Sequence, residues 1–170
     1  PLACRLPRKA RPAVTVTYSS YLHLDELLAA QQPLSQGPEH DEMLFFVIHQ
    51  VYELWFKQLL HEAAHLGAAL EQDELPRVYA TLKRFLTILK VQVAQIDILE
   101  TMSPVSFLSF RARLDTASGF QSPQFRELEF VLGRRSARMI AHHAGTPAAD
   151  RLAAMLYEPS LWDQFVQFLV

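Results

Sequence analysis

Several places in this 170-residue sequence bring together side chains able to do chemistry. Phe45, His49, Tyr52 and Phe56 recur at i, i+4, i+7 and i+11, so on a helix of about 3.6 residues per turn they share one side. A histidine in that setting is either a core residue hydrogen-bonded to a carbonyl or an imidazole lining a hydrophobic pocket, where it can bind a haem ligand, a metal or a substrate N–H. His61-Glu62-Ala63-Ala64-His65 matches H-E-x-x-H, which in zinc proteases sets two imidazoles one turn apart with a glutamate as general base. Both histidines, however, fall in the sector of Gln50 and Lys57, roughly opposite Phe45 and Phe56. No third ligand follows at the usual interval, and Glu100 is remote, so the expectation is a chance match on a solvated face. Phe107 and Arg111 are four apart and share a face, with Phe110 and Leu114 beside it. The planar fork of Arg111 suits bidentate capture of a carboxylate, whether a ligand's or one of the protein's own. Directly after it, Ser118-Gly119-Phe120-Gln121-Ser122 offers hydroxyls, an amide and a flexible glycine, able to hold a polar ligand group or simply to turn the chain. His142-His143, near Gly145, reads as a solvated helix end.

These residues need helices to position them. Between Pro38 and Pro76 there is no proline and one glycine, and acids follow His40 where the helix dipole favours them, so a helix of about 30 residues is predicted. A second long helix is predicted from about Arg77 to Met102, with Val78, Leu82, Phe85, Leu86, Leu89, Val93, Ile96 and Leu99 at spacings of three and four, its partner face the first helix. Ser103-Pro104 stops one helix and starts another, to about Leu114. Short helices near 123–133, 136–144, 147–157 and 159–170 follow, divided by glycines and prolines. Val14 to Leu22 is β-prone, but no sheet is apparent. The fold class is all-α: two long antiparallel helices plus several short ones.

Half the residues are apolar, 20% are charged and the formal net charge is −2, which excludes a disordered chain and a generally basic nucleic-acid binder. The single cysteine, Cys4, cannot form an internal disulfide, so a reduced, cytoplasmic setting is expected. No apolar run approaches the roughly 20 residues of a membrane span, and no membrane partner is expected. The mean hydropathy of +0.05 is high for a monomer of this size and points to surface covered by a partner. The first twelve residues hold four basic side chains, three prolines and no acid. Residues 1–13 are therefore expected to be a flexible basic arm and 14–170 one all-α domain.

Four segments, YSSYLHLDELLAAQQPLS, HDEMLFFVIHQVYELWFKQLLHE, LETMSPVSFLSFR and ASGFQSPQFRELEFVLG, resemble the tryptophan 2,3-dioxygenase family in order and interval, and the resemblance runs from about Tyr18 to the end of the chain. It implies an all-α haem protein, a homotetramer, that combines L-tryptophan and O2 into N-formyl-L-kynurenine. His49 matches the family's distal histidine, which hydrogen-bonds the indole N–H, and Phe45 the aromatic packed on the indole. Arg111 matches the arginine that grips the substrate carboxylate, and Phe107 an aromatic of the pocket wall. Ser118 matches a position near a haem propionate. Tyr18, Tyr21 and Leu22 match a segment that completes a neighbouring subunit's pocket.

The resemblance also implies that the family chain continues beyond the point matching Val170. That further part carries the histidine that ligates the haem iron and a loop that closes over the substrate's amino group. No histidine here matches the axial ligand, so no metal ligand is assigned within this chain, and the all-α domain is expected to be incomplete at its C-terminus. Two expectations follow: an enzyme or enzyme fragment with the distal pocket half, or a truncated, non-catalytic tryptophan-binding or oligomerisation module.

Overall fold

The computed structural model describes residues 15–37 and 39–170. The expected arm at 1–13 and Cys4 lie outside the described residues. The chain falls into two compact units, the first ending at Gln32 and the second covering Pro33–Val170. Every regular element among the described residues is helical, so the fold is all-α.

The first unit contains α1 (Tyr18–Leu22) and α2 (Leu24–Ala29). The β-prone reading of this stretch is corrected here: Thr17 and Ser20 form a reciprocal capping box, and those two local bonds favour a helical turn over a strand. His23 joins the two helices in a left-handed conformation, φ 51°.

In the second unit, α3 (Asp41–Glu71) and α4 (Leu75–Leu99) are the two long helices. Asp73 adopts φ 54° between them, while Glu74 N–H reaches Ala69 O at 3.0 Å and Asp73 N–H reaches Leu70 O at 3.3 Å. That pairing satisfies the last carbonyls of α3 and reverses the chain. Partners step down α4 as they step up α3: Glu62 meets Arg84 and Tyr52 meets Gln92, so the pair is antiparallel. After α4 come α5 (Pro104–Arg111), α6 (Pro123–Val131), α7 (Ala137–Ile140), α8 (Pro147–Met155) and α9 (Leu161–Phe168), with single 3-10 turns at 112–114, 119–121 and 141–143. Ser103, Ser122 and Ser160 cap α5, α6 and α9 through their side chains, two of them followed by proline where its missing N–H costs nothing.

The core has two parts, and both use α3. Leu59 and Ala63 pack with Phe85 and Ile88 of α4 and Leu128 of α6. One to two turns further on, Leu66, Ala69 and Leu70 pack with Val78 of α4 and with Leu161, Phe165 and Phe168 of α9. Burying each such Leu, Ile or Phe side chain contributes about 1.5–3 kcal/mol. No helix among the described residues is long and apolar enough to cross a membrane.

Candidate functional site

Phe45 and His49 lie one turn apart on the N-terminal half of α3. The imidazole Nδ1 stands 2.7 Å from the carbonyl oxygen of Phe45, and the rings pack with centroids 4.0 Å apart. A carbonyl only accepts, so Nδ1 carries a proton, and of the two neutral tautomers the bond selects the one with its lone pair on Nε2. His49 is exposed, so the bond to a carbonyl foreseen for a core histidine is present on a surface ring instead.

Phe45 reaches across to α5. Its ring centroid is 5.8 Å from Phe107 and 5.6 Å from Phe110, and these two meet edge to face at 5.5 Å. Phe110 is fully buried and anchors the cluster. Arg111 follows on α5, half-buried, its Nη1 donating to the backbone oxygen of Asp115 at 3.0 Å. Among the described residues it forms no ion pair with a carboxylate, so a pairing with one of the protein's own acids is not what holds it. The structure thus joins Phe45, His49 and Phe107 and sets Arg111 one turn from Phe107. Below this group the aromatic row continues: Tyr52 lies 6.0 Å from Phe56, and Phe56 lies 5.3 Å from Phe125 of α6. The Tyr52 hydroxyl donates to Gln92 O at 2.5 Å, and burial pushes its pKa up.

Ser118 is exposed at the start of the 119–121 turn, its Oγ accepting Phe120 N–H at 3.3 Å. Behind that turn the structure shows a group that sequence reasoning passed over. Arg126, 3% exposed, pairs with Glu129 and lies over the Phe120 and Phe125 rings, 5.7 and 5.1 Å from their centroids. The signal was an arginine set between aromatics in QFRELEF.

The residues of the H-E-x-x-H motif divide between surface and interior. His61 and His65 are exposed, while Glu62 is buried and accepts hydrogen bonds from Arg84 and Gln58. Among the described residues no three histidine, cysteine or acidic side chains gather as a metal site. The reading of His142-His143 as a solvated helix end holds for His142 alone. His143 is 4% exposed, and desolvation, with the positive charges of Arg126 and His142, lowers its pKa. A hollow of about 410 Å³ lies beside it, lined by Gln121, Thr146 and Arg151 among others, and another of about 300 Å³ lies between α3 and α9; neither is lined by Phe45, His49, Phe107 or Arg111. In the first unit, Tyr18, Tyr21 and Leu22 are exposed on α1.

With this geometry in place, the chain was compared with known proteins. A model of the family described as Tryptophan 2,3-dioxygenase matches residues 6–154. The chain belongs to the tryptophan 2,3-dioxygenase family. A tryptophan 2,3-dioxygenase from Herpetosiphon aurantiacus is 54% identical over 154 residues, covering 91% of this chain and 59% of its own length. One from Anaeromyxobacter sp. (strain K) is 55% identical over 158 residues, 92% of this chain and 59% of its own length. One from Rhodococcus jostii is 44% identical over 155 residues, 91% and 55%. The chain therefore spans less than two thirds of the length of these curated relatives.

Tryptophan 2,3-dioxygenases are in general haem-dependent, and the residues present fit one wall of a haem site. His49 presents an Nε2 lone pair beside an aromatic wall, and the Ser118 hydroxyl accepts from Phe120 while its own proton is uncommitted among the described residues. A hydroxyl with an uncommitted proton can donate to a carboxylate such as a haem propionate.

Proposed function

We propose that this chain furnishes the substrate-side wall of a haem-dependent dioxygenase that inserts both atoms of O2 across the indole C2–C3 bond of L-tryptophan, giving N-formyl-L-kynurenine. The observation that carries the reading is the meeting of Phe45, His49 and Phe107 between α3 and α5, with Arg111 one turn from Phe107 and without a carboxylate partner among the described residues. Tryptophan asks for those three things: a dry slot for the ring, an acceptor for the indole N–H and a fixed cation for the carboxylate.

The chain's own residues divide the work. Phe45 and Phe107 flank the indole and exclude water. His49 Nε2 accepts the indole N–H, holding that proton in a hydrogen bond and fixing which edge of the ring faces inward; the Nδ1 bond to Phe45 O keeps the imidazole from turning. Arg111 keeps Nη1 on Asp115 O and offers Nε and Nη2 to the substrate carboxylate. Ser118 donates its hydroxyl proton to a haem propionate. Haem, when bound, supplies the oxygen activation, which no side chain provides. No residue of this chain is assigned to the haem iron; in the family a histidine of a further segment would hold it. Tyr18, Tyr21 and Leu22 complete the pocket of a neighbouring subunit in a homotetramer, and the protein works in the cytoplasm.

The test is to add haem to the purified chain, reduce it, and follow the Soret band and N-formylkynurenine with and without L-tryptophan and O2. A Soret band with product supports the reading. No band and no product, with tryptophan still bound, replaces it with a non-catalytic tryptophan-binding module.

A further inference from the structure

Glu42 is 1% exposed, the most deeply buried of the described carboxylates, and the pocket as drawn does not use it. Each of its oxygens accepts a backbone N–H from the segment before α3: Oε1 from Leu34 at 2.7 Å and Oε2 from Ser35 at 3.0 Å. Burial alone would push its pKa up, but the hydrogen bonds from Ser35 and Leu34 and the charge of Arg113 outweigh that and hold it below its ordinary value. Arg113 ties the same segment to α5, with Nη1 donating to Glu39 Oε1 at 3.2 Å and to Ser109 O at 3.1 Å. Glu42 stands three residues before Phe45 and seven before His49, on the same face of α3.

An acid placed only to suit the helix dipole has no need of burial, because the dipole acts on exposed side chains. Here the carboxylate is desolvated and both oxygens are committed to one segment, whose far end is bound through Arg113 to α5. We propose that Glu42 is a positioning residue for the tryptophan pocket. By fixing Leu34 and Ser35, with Arg113 fixing Glu39 and Ser109, it sets α5 against α3 so that Phe107 and Arg111 face Phe45 and His49. The proposal rests on the reading of this face as a tryptophan site.

Glu42→Gln keeps the shape but sets an amide NH2 against a backbone N–H. Arg113→Gln breaks the more exposed tie and carries the test if Glu42→Gln does not fold. Glu62→Gln is the control, a similarly buried carboxylate that lies more than three turns beyond His49 on α3 and is held by Arg84 and Gln58. Two readouts are taken on the 170-residue chain, below the melting temperature of every variant: amide exchange at Leu34, Ser35 and 107–111, and L-tryptophan affinity by calorimetry. The expected result is exchange at both sets of amides faster by about tenfold or more in Glu42→Gln and Arg113→Gln, and tryptophan bound about tenfold more weakly in Glu42→Gln, with neither readout moved in Glu62→Gln. Unchanged exchange at 107–111 in the first two variants overturns the proposal, as does an equal loss of affinity in Glu62→Gln. If the unmodified chain binds no tryptophan, the reading of the site fails, while the exchange data still decide whether Glu42 holds α5.

Discussion

If Arg111 holds the tryptophan carboxylate as proposed, replacing it by alanine separates recognition of that carboxylate from recognition of the ring. In the structure one guanidinium nitrogen holds Asp115 O, and no carboxylate among the described residues takes the rest. A bound carboxylate is therefore the first ionic partner Arg111 acquires, and the half-buried position keeps water from screening the pair fully. Truncating one member of such a pair costs about 2 kcal/mol at the low end of the range for hydrogen-bonded charge pairs, the end appropriate to partial exposure. At about 1.4 kcal/mol per factor of ten, that weakens L-tryptophan roughly 30-fold. Tryptamine keeps the ring and amine but lacks the carboxylate, so it has nothing to lose at Arg111 and is expected to change by less than about threefold. The assay is calorimetric titration of both ligands into the unmodified chain and into Arg111→Ala, with Arg111→Lys as an intermediate that restores charge but not the fork. Equal losses for the two ligands would refute the reasoning, because a general collapse of the wall weakens both.

Three further outcomes are expected. Phe110→Ala removes the fully buried ring between Phe45 and Phe107 and should destabilise the chain by about 3–5 kcal/mol in urea unfolding; a loss under about 1 kcal/mol would show that α5 is not packed as described. Zinc or a chelator should leave the melting temperature unchanged, because no third ligand joins His61 and His65 among the described residues; a zinc-dependent rise would reopen the H-E-x-x-H motif. Stability should decline in two stages as pH falls. The folded pKa of His143 lies below its ordinary 6.5, so its contribution is complete above that value and is lost on the way down toward the folded pKa, where the unfolded chain holds the extra proton. Glu42 and Asp163 have folded values below 4.5 and 3.8, so theirs is present above those and lost as pH falls through the folded values. His143→Leu should abolish the first stage in pH-dependent urea midpoints and spare the second.

Much of this fold was legible because α3 and α4 are long, free of internal glycine and proline breaks except Gly67 and the proline near the start of α4, and periodic throughout. The neighbourhood of Phe45 and His49 followed from helical spacing alone, and so did the solvated setting of His61 and His65. What escaped were residues with a sufficient local explanation that was not the operative one. Glu42 reads as a first-turn acid serving the dipole, yet the segment before α3 folds over it, a contact no pattern within the helix encodes. His143 reads as a helix-end cation, yet it is packed beneath its neighbours and driven toward the neutral form. The sequence leading into α1 has strand propensity, but the hydrogen bonds between Thr17 and Ser20 decide for a helical turn at Tyr18–Leu22. Arg111 showed the converse: its face was readable, but that it has no acidic partner among the described residues required distances.

The buried positions of α3 are unevenly distributed along its 31 residues. Leu59, Glu62, Ala63, Leu66, Gly67, Ala69 and Leu70 lie toward its C-terminal end, while toward the other end Glu42 and Ile48 alone are buried and Met43, Val47, His49 and Leu54 are exposed. One rod thus has a structural end and a working end, separated by more than two turns. Substitutions at the structural end should lower the amount of folded protein a cell accumulates without altering how tightly each surviving molecule grips its ligand. Substitutions at the exposed positions of the other end, Glu42 and Ile48 apart, should do the reverse, leaving abundance intact and changing affinity. A survey that measured only total activity would merge the two classes, whereas abundance plotted against activity per molecule would divide α3 in sequence order.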